Sequence, residues 1–219
     1  SLVATELEVT SIQLTTDGVQ SAEAPNAVVG PQPRLTILCK FPDINTGMEP
    51  PSYYNGLMSA SFPGLDHYWR EQSYNAMTLA GSRVVGWYTL PHPWAYYGLD
   101  ATFPPLNQLT EDCLAATAVD IDIAQFTGFN LMTNAMIGCC AWGGSYVFHD
   151  RTLQAAWLPS WSHRYQTVVA HEMGHSFGLP HQLLQNSWDV MSEGYDYCHL
   201  ATHPIYGCLG QHTVAYHKD

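Results

Sequence analysis

The segment at 171–181 reads HEMGHSFGLPH and constrains the fold more than any other part of the chain. His171 and His175 are four residues apart, so on an α-helix their side chains project from one face and can bind a single ion. Gly178 takes a left-handed conformation at low cost, and the proline two residues later cannot continue a helix. We therefore expect the helix to end at Gly178 and the chain to turn back, which brings His181 towards the first two histidines.

These residue types predict a catalytic zinc site. Three neutral imidazoles leave one tetrahedral position of a Zn²⁺ ion open for water, the arrangement that distinguishes catalytic from structural zinc. Glu172 lies beside the first ligand in sequence and is the natural base for that water. The alternative is an amphipathic helix with core-facing histidines and a surface glutamate. Five fixed positions arise by chance in a chain of this length with a probability on the order of 10⁻⁴, so the zinc site with His171, His175 and His181 is favoured.

Met191 follows the third histidine by ten residues, within the segment NSWDVMSEG at 186–194. Its neighbours are small and turn-forming, and a methionine beneath the three ligands fits the same site. Taken without the histidines, Met191 is better interpreted as an ordinary core residue.

The run HExxHxxGxxH followed by a methionine turn resembles the signature of the metzincin metallopeptidases. Further segments are similar to secreted bacterial metallopeptidases of the immune inhibitor A type, although members of that group carry an acidic third ligand where this chain has His181. The resemblance implies an α+β fold: a twisted, mixed five-stranded sheet backed by helices, a zinc helix at the cleft, and a small, mostly irregular C-terminal subdomain. The similar segments are RLTILCKFPDIN at 34–45, WREQSYNAM at 69–77, VVGWYTLP at 84–91 and SWDVMSEG at 187–194.

The same resemblance implies a secreted zinc endopeptidase that hydrolyses extracellular proteins through a zinc-bound water activated by Glu172. Some metzincins place a tyrosine two residues after the methionine as a transition-state donor, but here that residue is Glu193. Tyr195 and Tyr197 lie nearby and are the candidates for that role. The alternatives are a catalytically idle metallopeptidase-like binding module and zinc-dependent hydrolysis of a non-peptide bond. Glu172 argues against the idle module, which has no need of a carboxylate beside the metal.

The charge balance limits the partners. Seven Lys and Arg against nineteen Asp and Glu give a net charge of −12, and no basic cluster is present, so nucleic acid is excluded as a partner. We expect a protein or peptide substrate and a monomeric chain. Asp120 and Asp122 alternate along one extended segment and are candidate Ca²⁺ ligands, although no EF-hand spacing supports them. No hydrophobic run is long enough for a membrane span.

Six cysteines without a CxxC pair favour three disulfides, as in a secreted protein. Cys198 and Cys208 bracket a short loop and are expected to pair. Adjacent cysteines close only a strained ring, so we expect Cys139 and Cys140 to bond separately. Their expected partners, in an order that the sequence leaves open, are Cys39 and Cys113.

The chain is expected to contain one domain after an N-terminal extension. Residues 1–33 are predicted to be a strand and linker or a propeptide remnant, and 34–219 the catalytic domain. Its upper subdomain spans 34–178, and its lower subdomain, with the methionine turn, spans 179–219. Hydrophobic patterning predicts strands at 35–41, 84–90, 129–133 and 141–148, and helices at 54–60, 68–78, 110–119, 165–177 and 210–218.

Overall fold

The computed structural model describes residues 27–181, 188–192 and 201–213, which form an α+β fold. The strands are β1 Gly30–Pro31, β2 Arg34–Lys40, β3 Met77–Thr78, β4 Arg83–Thr89, β5 Gly128–Thr133, β6 Trp142–Phe148, β7 Arg151–Leu158, β8 Thr202–His203 and β9 Gly207–Cys208. The α-helices are α1 Pro51–Leu57, α2 Leu65–Gln72, α3 Asn107–Thr117 and α4 Gln166–Ser176.

The main sheet has five strands in the order β4-β2-β5-β7-β6, which confirms the predicted mixed five-stranded sheet. The first four strands are parallel, and β6 runs antiparallel to β7 at one edge. Every residue of β5 is buried, as expected for a central parallel strand that is covered on both faces. The connection between β6 and β7 is a two-residue turn, His149 and Asp150, both exposed.

Two hydrophobic cores lie on opposite faces of the sheet because successive strand residues point to opposite sides. On β2, Leu38 packs with α1, α2 and α4, whereas Ile37 and Cys39 pack on the side of α3. Helix α4 is therefore held on one face of the sheet, and its contacts are mainly with β6 and β7.

Strand β7 is the main element that the hydrophobic pattern did not predict. Its sequence RTLQAAWL contains two alanines, which are depleted in strands. The second half of the strand is buried on both faces, so polar and apolar residues do not alternate there. The strand is nevertheless central, since it pairs with both β5 and β6.

The predicted bounds of the first three helices are wrong by several residues. Helix α1 begins at Pro51, a residue suited to the first helical turn, rather than at residue 54. Helix α2 ends at Gln72, because Tyr74 and Asn75 adopt left-handed φ angles of 52° and 64° that stop the helix. Helix α3 begins at Asn107, so Thr110 lies inside the helix, where its hydroxyl donates to the Leu106 carbonyl at 2.7 Å.

The disulfides differ from the predicted pairing. Cys39 of β2 bonds to Cys113 of α3, and the adjacent Cys139 and Cys140 bond to each other. Cys39 and Cys113 are both fully buried, with their Cα atoms 6.1 Å apart, because β2 and α3 pack face to face in one core. A cysteine sulfur forms only one disulfide bond, so Cys39 and Cys113 are not available to Cys139 and Cys140.

The chain ends are described in part. Strand β1 lies in the segment predicted as a linker and pairs with β3 outside the main sheet, and the predicted N-terminal strand lies in residues 1–26, outside the described part. Residues 210–213 are not helical, and the remainder of the helix predicted at 210–218 lies outside the described residues. Cys208 is disulfide-bonded, but the predicted pairing with Cys198 lies outside the described residues. No described helix is long and apolar enough to cross a membrane.

Candidate metal centre

Helix α4 carries two of the predicted ligands, and its bounds agree with the predicted helix at 165–177 to within one residue. The helix closes as its sequence suggests. Gly178 has a φ angle of +94°, and the Leu179 amide donates back to the Gly174 carbonyl at 3.0 Å. This turn reverses the chain at the end of the helix and returns His181 to the histidines of α4.

The three predicted ligands meet at one point. The Nε2 atom of His175 lies 3.0 Å from Nε2 of His171 and 3.0 Å from Nε2 of His181, and the remaining edge of this triangle is 3.1 Å. Among the described residues, these histidines are the only group of three or more His, Cys, Asp or Glu side chains placed to share a metal ion. His171 is buried, His175 is half-buried and His181 is exposed, so the site opens to solvent on the side of the loop.

Two backbone carbonyls orient the helix ligands. Nδ1 of His171 lies 2.7 Å from the Val190 carbonyl oxygen, and Nδ1 of His175 lies 2.8 Å from that of Leu179. A carbonyl oxygen only accepts, so each Nδ1 carries the proton, and Nε2 of each neutral ring presents a lone pair. Two bare nitrogens 3.0 Å apart repel each other unless a cation lies between them. Their arrangement could therefore hold a metal ion.

Burial keeps His171 in the form that binds metal. Desolvation lowers its pKa from 6.5 to about 4, the Val190 carbonyl opposes this shift, and the two neighbouring histidines add to it. The ring is therefore neutral at pH 7, as a metal ligand must be.

The donor set and spacing fit zinc. Zn–N bonds are about 2.0–2.1 Å, so one ion can reach two nitrogens up to about 4 Å apart. All three edges of the triangle are 3.0–3.1 Å, well within that reach. The two carbonyl acceptors supply the outer hydrogen bonds that usually orient zinc-binding histidines.

Met191 lies under helix α4, at the place where the helix carries its ligands. The side chain is fully buried, and its sulfur lies against Gly174, between the two helix histidines in sequence. The methionine turn also connects to the first ligand, since Val190 supplies the carbonyl for His171. The carboxylate of Asp189 accepts from the Met191 amide at 3.0 Å and fixes the turn.

Glu172 is buried, with 3% of its surface exposed, on the same helix turn as the ligands. Tyr195 and Tyr197, the predicted transition-state donors, lie outside the described residues. Of the positioning groups, the carbonyls of Val190 and Leu179 had no signal in the sequence, because every residue has a carbonyl. Gly143 of β6, which packs against α4, also had no signal in the sequence.

Among the described residues, the predicted Ca²⁺ ligands Asp120 and Asp122 belong to no group of three or more His, Cys, Asp or Glu side chains placed to share a metal ion. Asp122 and Asp120 are exposed, and the Asp122 carboxylate accepts from the Ala124 amide at 2.9 Å at the start of a short 3₁₀ helix. His163 is buried with 1% exposure. Its ring bonds to the Tyr54 hydroxyl and to the Leu158 carbonyl, each at 2.9 Å, so His163 belongs to the core.

Comparison with known proteins adds no family. No protein-family model matches the chain, and no curated protein is significantly similar to it.

Proposed function

We propose that the protein is a secreted zinc endopeptidase of the metzincin type that hydrolyses peptide bonds of extracellular proteins. The observation that carries this proposal is the convergence of three Nε2 atoms within 3.1 Å of one another, with two of the rings oriented by backbone carbonyls. A buried carboxylate, Glu172, follows the first ligand directly. A merely structural helix requires neither feature.

The roles of the residues follow from their chemistry. His171, His175 and His181 would hold the ion as neutral ligands. When bound, zinc polarises the scissile carbonyl and lowers the pKa of water. Glu172 accepts the proton from the attacking water and later gives it to the departing amine. Its burial suits this task, because proton transfer is then governed by neighbouring groups rather than by solvent.

The sheet edge suits a peptide substrate. Strand β6 is the outermost strand on its side of the sheet, and it runs alongside α4, which carries the ligands. An extended peptide can add to such an edge through backbone hydrogen bonds. The amide groups of the bound peptide would then lie beside helix α4.

The disulfides support an extracellular location. Two disulfide bonds lie wholly within the described residues, and such bonds persist mainly in oxidising compartments. The net charge of −12 disfavours nucleic acid as a partner.

The test is digestion of unfolded casein by the purified protein. We expect proteolysis that 1,10-phenanthroline abolishes and added Zn²⁺ restores. A protein that binds zinc but cleaves neither casein nor a mixed peptide library would contradict the proposal and would favour the idle binding module. A Glu111→Gln variant, in which an exposed glutamate of α3 is replaced, controls for the effect of substituting a glutamate outside the site. It should retain full activity.

A further inference from the structure

Strand β6 comes unusually close to helix α4 at Gly143. A Cβ atom added there would collide with the Glu172 carbonyl oxygen and lie 2.8 Å from the Cβ of His175. Gly143 has no left-handed φ angle, so the backbone conformation does not require glycine. Glycine is required because the strand and the helix leave no space for a side chain. The two residues that Gly143 meets are the proposed general base and one of the proposed ligands.

A second glycine, within α4 itself, permits a close contact on another side of the same helix. A Cβ at Gly174 would collide with the Met191 sulfur and lie 3.2 Å from its terminal methyl carbon. Successive residues of an α-helix are 100° apart around its axis. Gly174 therefore lies roughly 130° around the helix from the direction midway between Glu172 and His175. Helix α4 is thus held between β6 and Met191, and both contacts fall within the turn that carries the ligands.

The two contacts differ in how readily they yield. At Gly143 the obstructing atom is a backbone oxygen, which moves only with the whole helix. At Gly174 the obstructing atoms are at the far end of a methionine side chain, which can adopt another rotamer. The position of α4 relative to the sheet edge is therefore determined mainly by Gly143.

We propose that Gly143 is the principal positioning residue of the metal centre and that Gly174, through Met191, is the second. His171 and His175 move with α4, whereas His181 belongs to the loop after the helix. Two edges of the nitrogen triangle join these separate elements. A displaced helix would open both edges and weaken the site. This inference rests on the metal centre of the proposed function but not on peptidase activity.

The experiment measures metal binding by Gly143→Ala, with Gly144→Ala as the matched control. Gly144 is the next residue of the same strand, and a Cβ there meets nothing within 4 Å. We expect the Gly143→Ala protein to bind Zn²⁺ and Co²⁺ about 10-fold more weakly or worse, the usual effect of disturbing the groups that orient metal ligands. The visible absorption of its bound Co²⁺ should also change. Gly144→Ala should bind both ions like the parent and give the parent spectrum.

Circular dichroism of the metal-free proteins separates a site effect from unfolding. A folded Gly143→Ala protein with parental metal affinity and an unchanged Co²⁺ spectrum overturns the proposal. If that variant does not fold, Gly174→Ala decides, since alanine favours the helix by about 1 kcal/mol over glycine. We expect it to remain folded and to bind Co²⁺ several-fold more weakly, and parental binding would overturn the proposal. A parent that binds zinc without cleaving peptides contradicts only the proposed function.

Discussion

Nε2 of His175 lies 3.0 Å from Nε2 of His181, although the first residue belongs to helix α4 and the second to the loop that follows it. The left-handed Gly178 between them reverses the chain and makes this contact. The candidate metal centre therefore depends on a turn as much as on a helix.

His181→Ala should abolish both metal binding and proteolysis. Removing one of three protein ligands leaves two helix histidines, which are too few for a stable zinc site. Zinc content after dialysis, measured by atomic absorption, checks this prediction. His92→Ala is the control, because His92 stacks on Tyr96 with a ring separation of 3.8 Å and is not part of the histidine cluster. A His181→Ala protein that keeps one zinc per chain would show that this residue is not a ligand.

Glu172→Gln should retain zinc and lose proteolysis. The amide preserves the size of the buried side chain, but it cannot take up the proton of the attacking water. General base catalysis typically contributes 10²–10⁴-fold, so we expect a loss of at least about 100-fold in kcat/KM. Zinc content and casein turnover are measured on the same preparation. Proteolysis at the parental rate excludes Glu172 as the base.

Removal of the Cys39–Cys113 disulfide should lower the free energy of unfolding by about 4 kcal/mol, because the bond closes a loop of 74 residues in the unfolded chain. Denaturation of a Cys39→Ala, Cys113→Ala double variant in guanidinium chloride checks this value. The control is Cys139→Ser with Cys140→Ser, which opens a bond between adjacent residues and should cost far less. Equal losses in the two double variants contradict the prediction.

His163 should make the fold less stable in acid. Burial lowers the pKa of its ring from 6.5 to about 4. Between these pH values the unfolded chain binds a proton that the folded chain does not, so the free energy of unfolding falls as the pH falls. The full loss at this group is about 3 kcal/mol.

Guanidinium denaturation at pH 7 and pH 4.5, with a chelator present throughout, checks the effect of His163 without a contribution from bound metal. A His163→Asn variant is expected to be less stable at pH 7 but to lose less stability on acidification. An equal pH dependence in parent and variant would assign the acid sensitivity to other groups.

The clustering of the three histidines was predictable from the sequence because local rules determine it. The spacing of His171 and His175 depends on helix geometry, and Gly178 signals the end of the helix through its own conformational freedom. The mixed five-stranded sheet was expected from the resemblance, and the structure contains it.

What the sequence could not predict depends on contacts between distant segments. Polar and apolar residues do not alternate along β7, because the second half of the strand is buried on both faces. The pairing of Cys39 with Cys113 depends on which helix covers β2, which no local pattern specifies. His163 and Gly143 have neighbours that only the tertiary structure brings near.

X-ray absorption at the zinc edge of the Zn²⁺-loaded protein tests the central claim most directly. We expect three imidazole nitrogens and one solvent oxygen around the ion, at about 2.0–2.1 Å for the nitrogens. The His181→Ala protein provides the reference for a disrupted site. A fourth protein ligand in the parent, or fewer than three imidazoles, would contradict the account.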